Sequence, residues 1–94
     1  MGIFLGYHKK VDANQADLVK YIRSLGASVQ HLYAVGGGVP DIIIGYNGKN
    51  YLAEVKTLKG KLNPLQVMWF EAWGGQCQVI RTKEDINELL GVRE

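Results

Sequence analysis

Apolar positions recur at helical spacing in Leu18, Val19, Ile22 and Leu25. Asp12, Asn14 and Gln15 can start such a helix and Gly26 can stop it, so residues 12–25 read as a first helix. Ala27 to Val35 carries Val29, Leu32, Tyr33 and Val35 and reads as a strand. Gly36-Gly37-Gly38 breaks that pattern. From Pro40 to Lys56, two runs of branched and aromatic residues flank Asn47-Gly48. Asn-Gly supplies the positive φ that a two-residue type I′ hairpin turn requires at both central positions.

The turn sets a register. Tyr46 faces Lys49, Ile44 faces Tyr51, Ile42 faces Ala53 and Asp41 faces Glu54. Lys56, two residues beyond Glu54, points the same way. One hairpin face then carries Ile42, Ile44, Tyr51, Ala53 and Val55. The other carries Ile43 and Leu52 beside the charged set. A hairpin apolar on both faces calls for helices on both, an α/β sandwich.

The rest of the chain supplies them. Asn63 is placed as an N-cap, Pro64 at the first helical position and Gln66 as the third member of a capping box. This helix runs to about Trp73, with Leu65, Met68, Trp69 and Ala72 as its core stripe, and Gly74-Gly75 ends it. Gln76 to Arg81 reads as a strand around Cys77, Val79 and Ile80. Thr82 caps a last helix with Asp85 in its first turn and Ile86, Leu89 and Leu90 inward. The order is α-β-β-β-α-β-α.

Ninety-four residues make one small domain, residues 1–94. A chain of this size buries only about 60–70% of its unfolded surface, so a partner subunit would help it. The 47% hydrophobic and 21% charged content is that of an ordinary soluble protein, and a net charge of +2 points only weakly to a polyanion. One cysteine excludes an internal disulfide and a Cys-rich zinc site. No apolar run approaches the roughly 18 residues a membrane helix needs, and the first residues lack a signal-peptide layout. The expected setting is intracellular and cytoplasmic, without a membrane partner.

Candidate chemistry collects on the hairpin. Opposed Asp41 and Glu54 repel unless a cation lies between them. Lys56 would neutralise them in part, and a hard divalent ion such as Mg²⁺ or Mn²⁺ would do so better. A slipped register would instead separate the acids and leave Glu54 and Lys56 an ordinary surface pair. The triple glycine is no P-loop, because no Gly-Lys-Ser/Thr follows it. It is either a flexible turn or bare backbone at Gly37 and Gly38 that lets a phosphate strand come close to Asp41. Lys59 and Lys61, with Lys9 and Lys10 near the start, are candidate phosphate contacts or simply solvated charges.

Pro40-Asp41, a hairpin of suitable length, Glu54-Val55-Lys56 and a helical Gln66 together resemble the PD-(D/E)XK nuclease superfamily. The Gly-rich approach to Pro-Asp and the Gln after Leu62-Asn63-Pro64-Leu65 are most similar to its VRR-Nuc branch, which includes small standalone phage or bacterial proteins. The likeness spans roughly residues 12–81. It implies a restriction-endonuclease-like core, a central mixed sheet flanked by helices, and possible phage origin within a bacterial host. It also implies Asp41, Glu54 and the Val55 carbonyl as ligands of Mg²⁺ or Mn²⁺. Lys56 would orient the attacking water and hold the scissile phosphate, and Gln66 would reach the same centre. The acidic residue often found on the family's first helix is replaced here by Gln15 or Asp12.

The reading that follows is a metal-dependent DNA endonuclease acting as a homodimer on branched or four-way-junction DNA. Nothing in the chain recognisably reads base edges, so selection by shape is expected. The alternative is a non-catalytic nucleic-acid-binding module that keeps the fold. Gly-x-Ser-x-Gly, His-Glu-x-x-His and a supported Cys–His pair are all missing from the sequence, which excludes the corresponding hydrolase classes.

Overall fold

The computed structural model describes residues 13–93, so Lys9, Lys10 and Asp12 lie outside the described residues. The elements are α1 (Ala13–Ser24), β1 (Ser28–His31), β2 (Ile42–Tyr46), β3 (Lys49–Val55), α2 (Pro64–Ala72), β4 (Gln78–Ile80) and α3 (Lys83–Leu90). They form one four-stranded mixed sheet in the order β1-β2-β3-β4. The first three strands run antiparallel, and β4 joins β3 in parallel. A parallel neighbour requires a crossover, and α2 lies in it.

The hairpin forms where the turn chemistry places it. Asn47 and Gly48 hold φ of 51° and 79°, the left-handed geometry of a type I′ turn. Tyr46 pairs with Lys49, Ile44 with Tyr51 and Ile42 with Ala53. Alternation sends Ile42, Ile44, Ala53 and Val55 to one face. There they pack with Leu18, Val19 and Ile22 of α1, Ile80 of β4, and Ile86 and Leu90 of α3. Burying this set is the main drive to fold. Tyr21 ties α1 to α3 by donating its hydroxyl to Asn87 Oδ1.

Three sequence expectations are corrected. The strand over Ala27–Val35 stops at His31. Leu32 N–H donates to the Asp41 carbonyl at 2.8 Å, and Val35 N–H turns back onto the Leu32 carbonyl at 2.9 Å. The last strand is shorter than Gln76–Arg81 and spans Gln78–Ile80. The stripe Leu65, Met68, Trp69 and Ala72 is not core. Leu65 and Met68 are 57% and 64% exposed, and Gln66 is the buried residue of α2.

Candidate active site

The site begins where the hairpin ladder stops. In a two-residue hairpin, hydrogen-bonded pairs alternate outward from the turn, so the pair beyond Ile42 and Ala53 to exchange such bonds would be Pro40 and Val55. Proline has no N–H and cannot continue a ladder. Val55 N–H donates to Asp41 Oδ2, at 2.9 Å. Pro40 lacks the N–H that would meet the Val55 carbonyl, so the ladder pair is incomplete, and the Val55 N–H holds the Asp41 carboxylate beside Glu54-Val55-Lys56. Asp41 is 1% exposed.

Glu54 is fully buried on the opposite strand. Gln66 Nε2 donates to its Oε2 at 3.0 Å, and Lys56 Nζ lies 3.5 Å from the same oxygen. Gln66 also accepts the Asn63 N–H through Oε1 at 2.9 Å, while its own N–H donates to Asn63 Oδ1. Capping and contact with Glu54 are therefore performed by one side chain. The capping box fixes the rotamer that reaches the carboxylate. The Gly36–Gly38 turn supports this helix start. A Cβ at Gly38, whose φ is 86°, would lie 2.8 Å from the Leu65 carbonyl carbon. That is well inside the roughly 3.5–4.0 Å at which carbons pack. The missing side chain of Gly38 thus leaves room for the start of α2.

Two further supports carried no sequence signal. Asn14 Nδ2 donates to the Lys56 carbonyl at 3.0 Å, which brings the first turn of α1 against the site, and Gln15 beside it is buried. Asn14 stood out only as a helix cap, since its partner lies 42 residues away. Arg81 Nη1 donates to the carbonyls of Thr57 and Gly60, both at 2.6 Å, and so holds the loop that carries exposed Lys59 and Lys61. Nothing local distinguishes this arginine from any other.

The donor set suits a hard cation. Asp41 and Glu54 are buried, and among the described residues the Lys56 ammonium lies 3.5 Å from Glu54; carboxylates in an apolar interior are costly unless positive charge meets them. Carboxylate and carbonyl oxygens are the donors Mg²⁺ and Mn²⁺ take. Among the described residues, no three His, Cys, Asp or Glu gather to hold a metal. Two carboxylates with water and phosphate completing the shell fit the habit of Mg²⁺ and not that of structural zinc. Cys77 is a half-buried thiol held in its protonated form. Burial, and secondarily the charge of Glu54, push its thiol from 9.0 up to about 11, against a smaller lowering by the Gln78 backbone. Among the described residues, no helix is long and apolar enough to cross a membrane.

No family model and no curated protein matches the chain. A solved structure titled "VRR_NUC domain" does, with a TM-score of 0.67 and 22% identity over 88% of this chain and all of that one. At that identity the likeness speaks for the fold.

Proposed function

We propose that this chain, which has the fold of a VRR_NUC domain, is a Mg²⁺- or Mn²⁺-dependent endonuclease that hydrolyses DNA phosphodiester bonds. The observation that carries the reading is the convergence of buried Asp41 and Glu54 with Lys56 and Gln66 around one point of the sheet. A divalent ion bound there would supply a more acidic water and charge to offset that of the phosphoryl oxygens. Asp41, Glu54 and the Val55 carbonyl would hold it. Gln66 orients Glu54 by donating to Oε2. Lys56, only partly exposed and paired to Glu54, places positive charge where negative charge grows on the phosphate and helps position the attacking water. Lys59, Lys61 and the glycine backbone at Gly37 and Gly38 would hold flanking phosphates, so binding should weaken with salt.

The finer reading is a homodimer selective for branched or four-way-junction DNA. Leu58, Leu65 and Met68 are 75%, 57% and 64% exposed, and exposed apolar side chains support pairing of two copies. A two-fold pair of sites suits a branched substrate. The rival reading, a non-catalytic binding module, draws on the Gln66–Glu54 hydrogen bond, which would also serve a purely structural carboxylate.

The test is a cleavage assay on linear, flapped, bubbled and four-way DNA with Mg²⁺, Mn²⁺ or EDTA. Scission should require the metal. Asp41→Ala and Glu54→Ala should each lower it by more than about a hundredfold, with DNA affinity in EDTA changed only a few-fold. Metal-independent binding without scission would establish the rival.

A further inference from the structure

The sheet face that carries Glu54 continues into a groove that the proposed chemistry does not use. Its lining is Ile43, Asn50, Tyr51, Leu52, Trp73 and Gln76, around a cavity of about 260 Å³. Asn50, Leu52 and Glu54 alternate onto one side of β3, so groove and carboxylates share a face. Gln66 and Trp73 stand at opposite ends of α2, about 10 Å apart along the helix, or about three stacked nucleotides.

The groove is built and not merely open. Trp73 stacks on Trp69 at 4.7 Å with an interplanar angle of 19°, and its Nε1 donates to the Gln76 carbonyl at 3.2 Å. A Cβ at Gly75 would press to 3.0 Å of that nitrogen, so glycine there lets the indole sit. Gln76 in turn clamps the turn to the sheet. Its Oε1 accepts from Leu52 N–H at 2.7 Å, and its Nε2 donates to the Leu52 carbonyl at 2.9 Å. The result is an indole held in place yet 45% exposed. Its neighbours are an apolar floor of Ile43 and Leu52 and the exposed amide of Asn50.

We propose that this groove takes an unpaired nucleobase of the DNA substrate, stacked on Trp73. A flat apolar ring with polar edges matches a flat apolar floor with an amide at its rim, and stacking on an aromatic side chain accepts any base. Among the described residues no Lys or Arg lines the groove, which suits the base and not the phosphate. The inference rests on the nuclease reading and makes the preference one for DNA with unpaired bases, as at a branch or flap.

The test measures binding in EDTA, separately from cleavage, with a ten-nucleotide oligo-dT and a blunt duplex as probes. Trp73→Ala should weaken oligo-dT binding about tenfold and leave duplex binding within about twofold, while Trp73→Phe restores most of the loss. In a Trp69→Phe background, where Trp73 is the sole tryptophan, oligo-dT should quench the emission and duplex should not. Equal losses on both probes, an unquenched Trp73, or a change only in oligomeric state would overturn the groove assignment. Quenching by oligo-dT in a protein that never cuts would keep the groove and remove the nuclease reading. Metal-dependent cutting with affinity indifferent to Trp73 would do the reverse.

Discussion

The two faces of the sheet obey different rules. The face under α1 and α3 is closed by aliphatic side chains, with Ile22, Ile42, Ile44, Ala53 and Ile86 fully buried. The face under α2 buries polar groups, Asp41, Glu54 and Gln66, while the helix above it leaves Leu65, Met68 and Trp73 exposed. On the first face, apolar burial drives folding and no chemistry is on offer. On the second, burial concentrates charge and the helix serves to position groups. Two helices of similar length thus contribute in opposite ways: α1 through its apolar stripe, α2 through one glutamine and one indole.

The largest expected effect breaks the first face. Ile44→Ala should destabilise the fold by about 2–5 kcal/mol, as large-to-small core changes do. Met68→Ala, on an exposed position, should stay within about 0.5 kcal/mol. Urea unfolding followed by circular dichroism measures both. A comparable loss at Met68 would mean that its surface is covered in solution, as pairing of two copies would require. A concentration dependence of the midpoint would then accompany it.

What the sequence made legible were local rules. Asn47-Gly48 specified the hairpin and its register because a type I′ turn depends on two adjacent residues. Asn63, Pro64 and Gln66 specified the start of α2 for the same reason, and Pro40-Asp41 with Glu54 and Lys56 marked the candidate site. What escaped was long-range or two-valued. The segment Pro64–Ala72 is apolar on nearly every side, so periodicity cannot say which side faces the sheet, and the stripe at Leu65 and Met68 turns out to face outward. The strand ends at His31 because Val35 N–H turns back onto the Leu32 carbonyl just after the last in-register bond, from Leu32 N–H to the Asp41 carbonyl; the β-favouring Leu32, Tyr33 and Val35 give no sign of that turn. The bonds from Asn14 to Lys56, from Arg81 to the Thr57–Gly60 loop and from Gln76 to Leu52 exist only once the sheet has formed.

The next two effects sharpen the second face. Gly38→Ala combines a positive φ with a clash on the Leu65 carbonyl and should cost about 1–3 kcal/mol. By displacing the start of α2 it should also lower cleavage. Gly37→Ala, with φ of 67° but nothing within 4 Å of an added Cβ, should cost about 1 kcal/mol and leave the start of α2 in place. Equal effects at the two glycines would remove the close approach as the reason for Gly38. Asn63→Ala comes next, at about 1 kcal/mol for a lost N-cap. Because the Gln66 side chain holds the backbone N–H of residue 63, that variant should keep part of its cleavage, whereas Gln66→Ala loses both the cap partner and the contact with Glu54.

The smallest effect is the titration of Cys77, which reports on the charged face without touching the core. Burial and then the negative charge of Glu54 hold the folded thiol near 11, against 9.0 when unperturbed. Ionisation is thus disfavoured in the folded state, so the unfolded chain loses its proton first as pH rises. Any stability this linkage contributes is complete below about pH 9 and declines between about 9 and 11. Alkylation by iodoacetamide should accordingly be slow at pH 8 and accelerate only towards pH 11. Glu54→Gln removes one of the two raising causes and should move the onset to lower pH, whereas Glu84→Gln, on the exposed first turn of α3, should not. An onset insensitive to Glu54 would leave desolvation as the whole cause and separate Cys77 from the charged face.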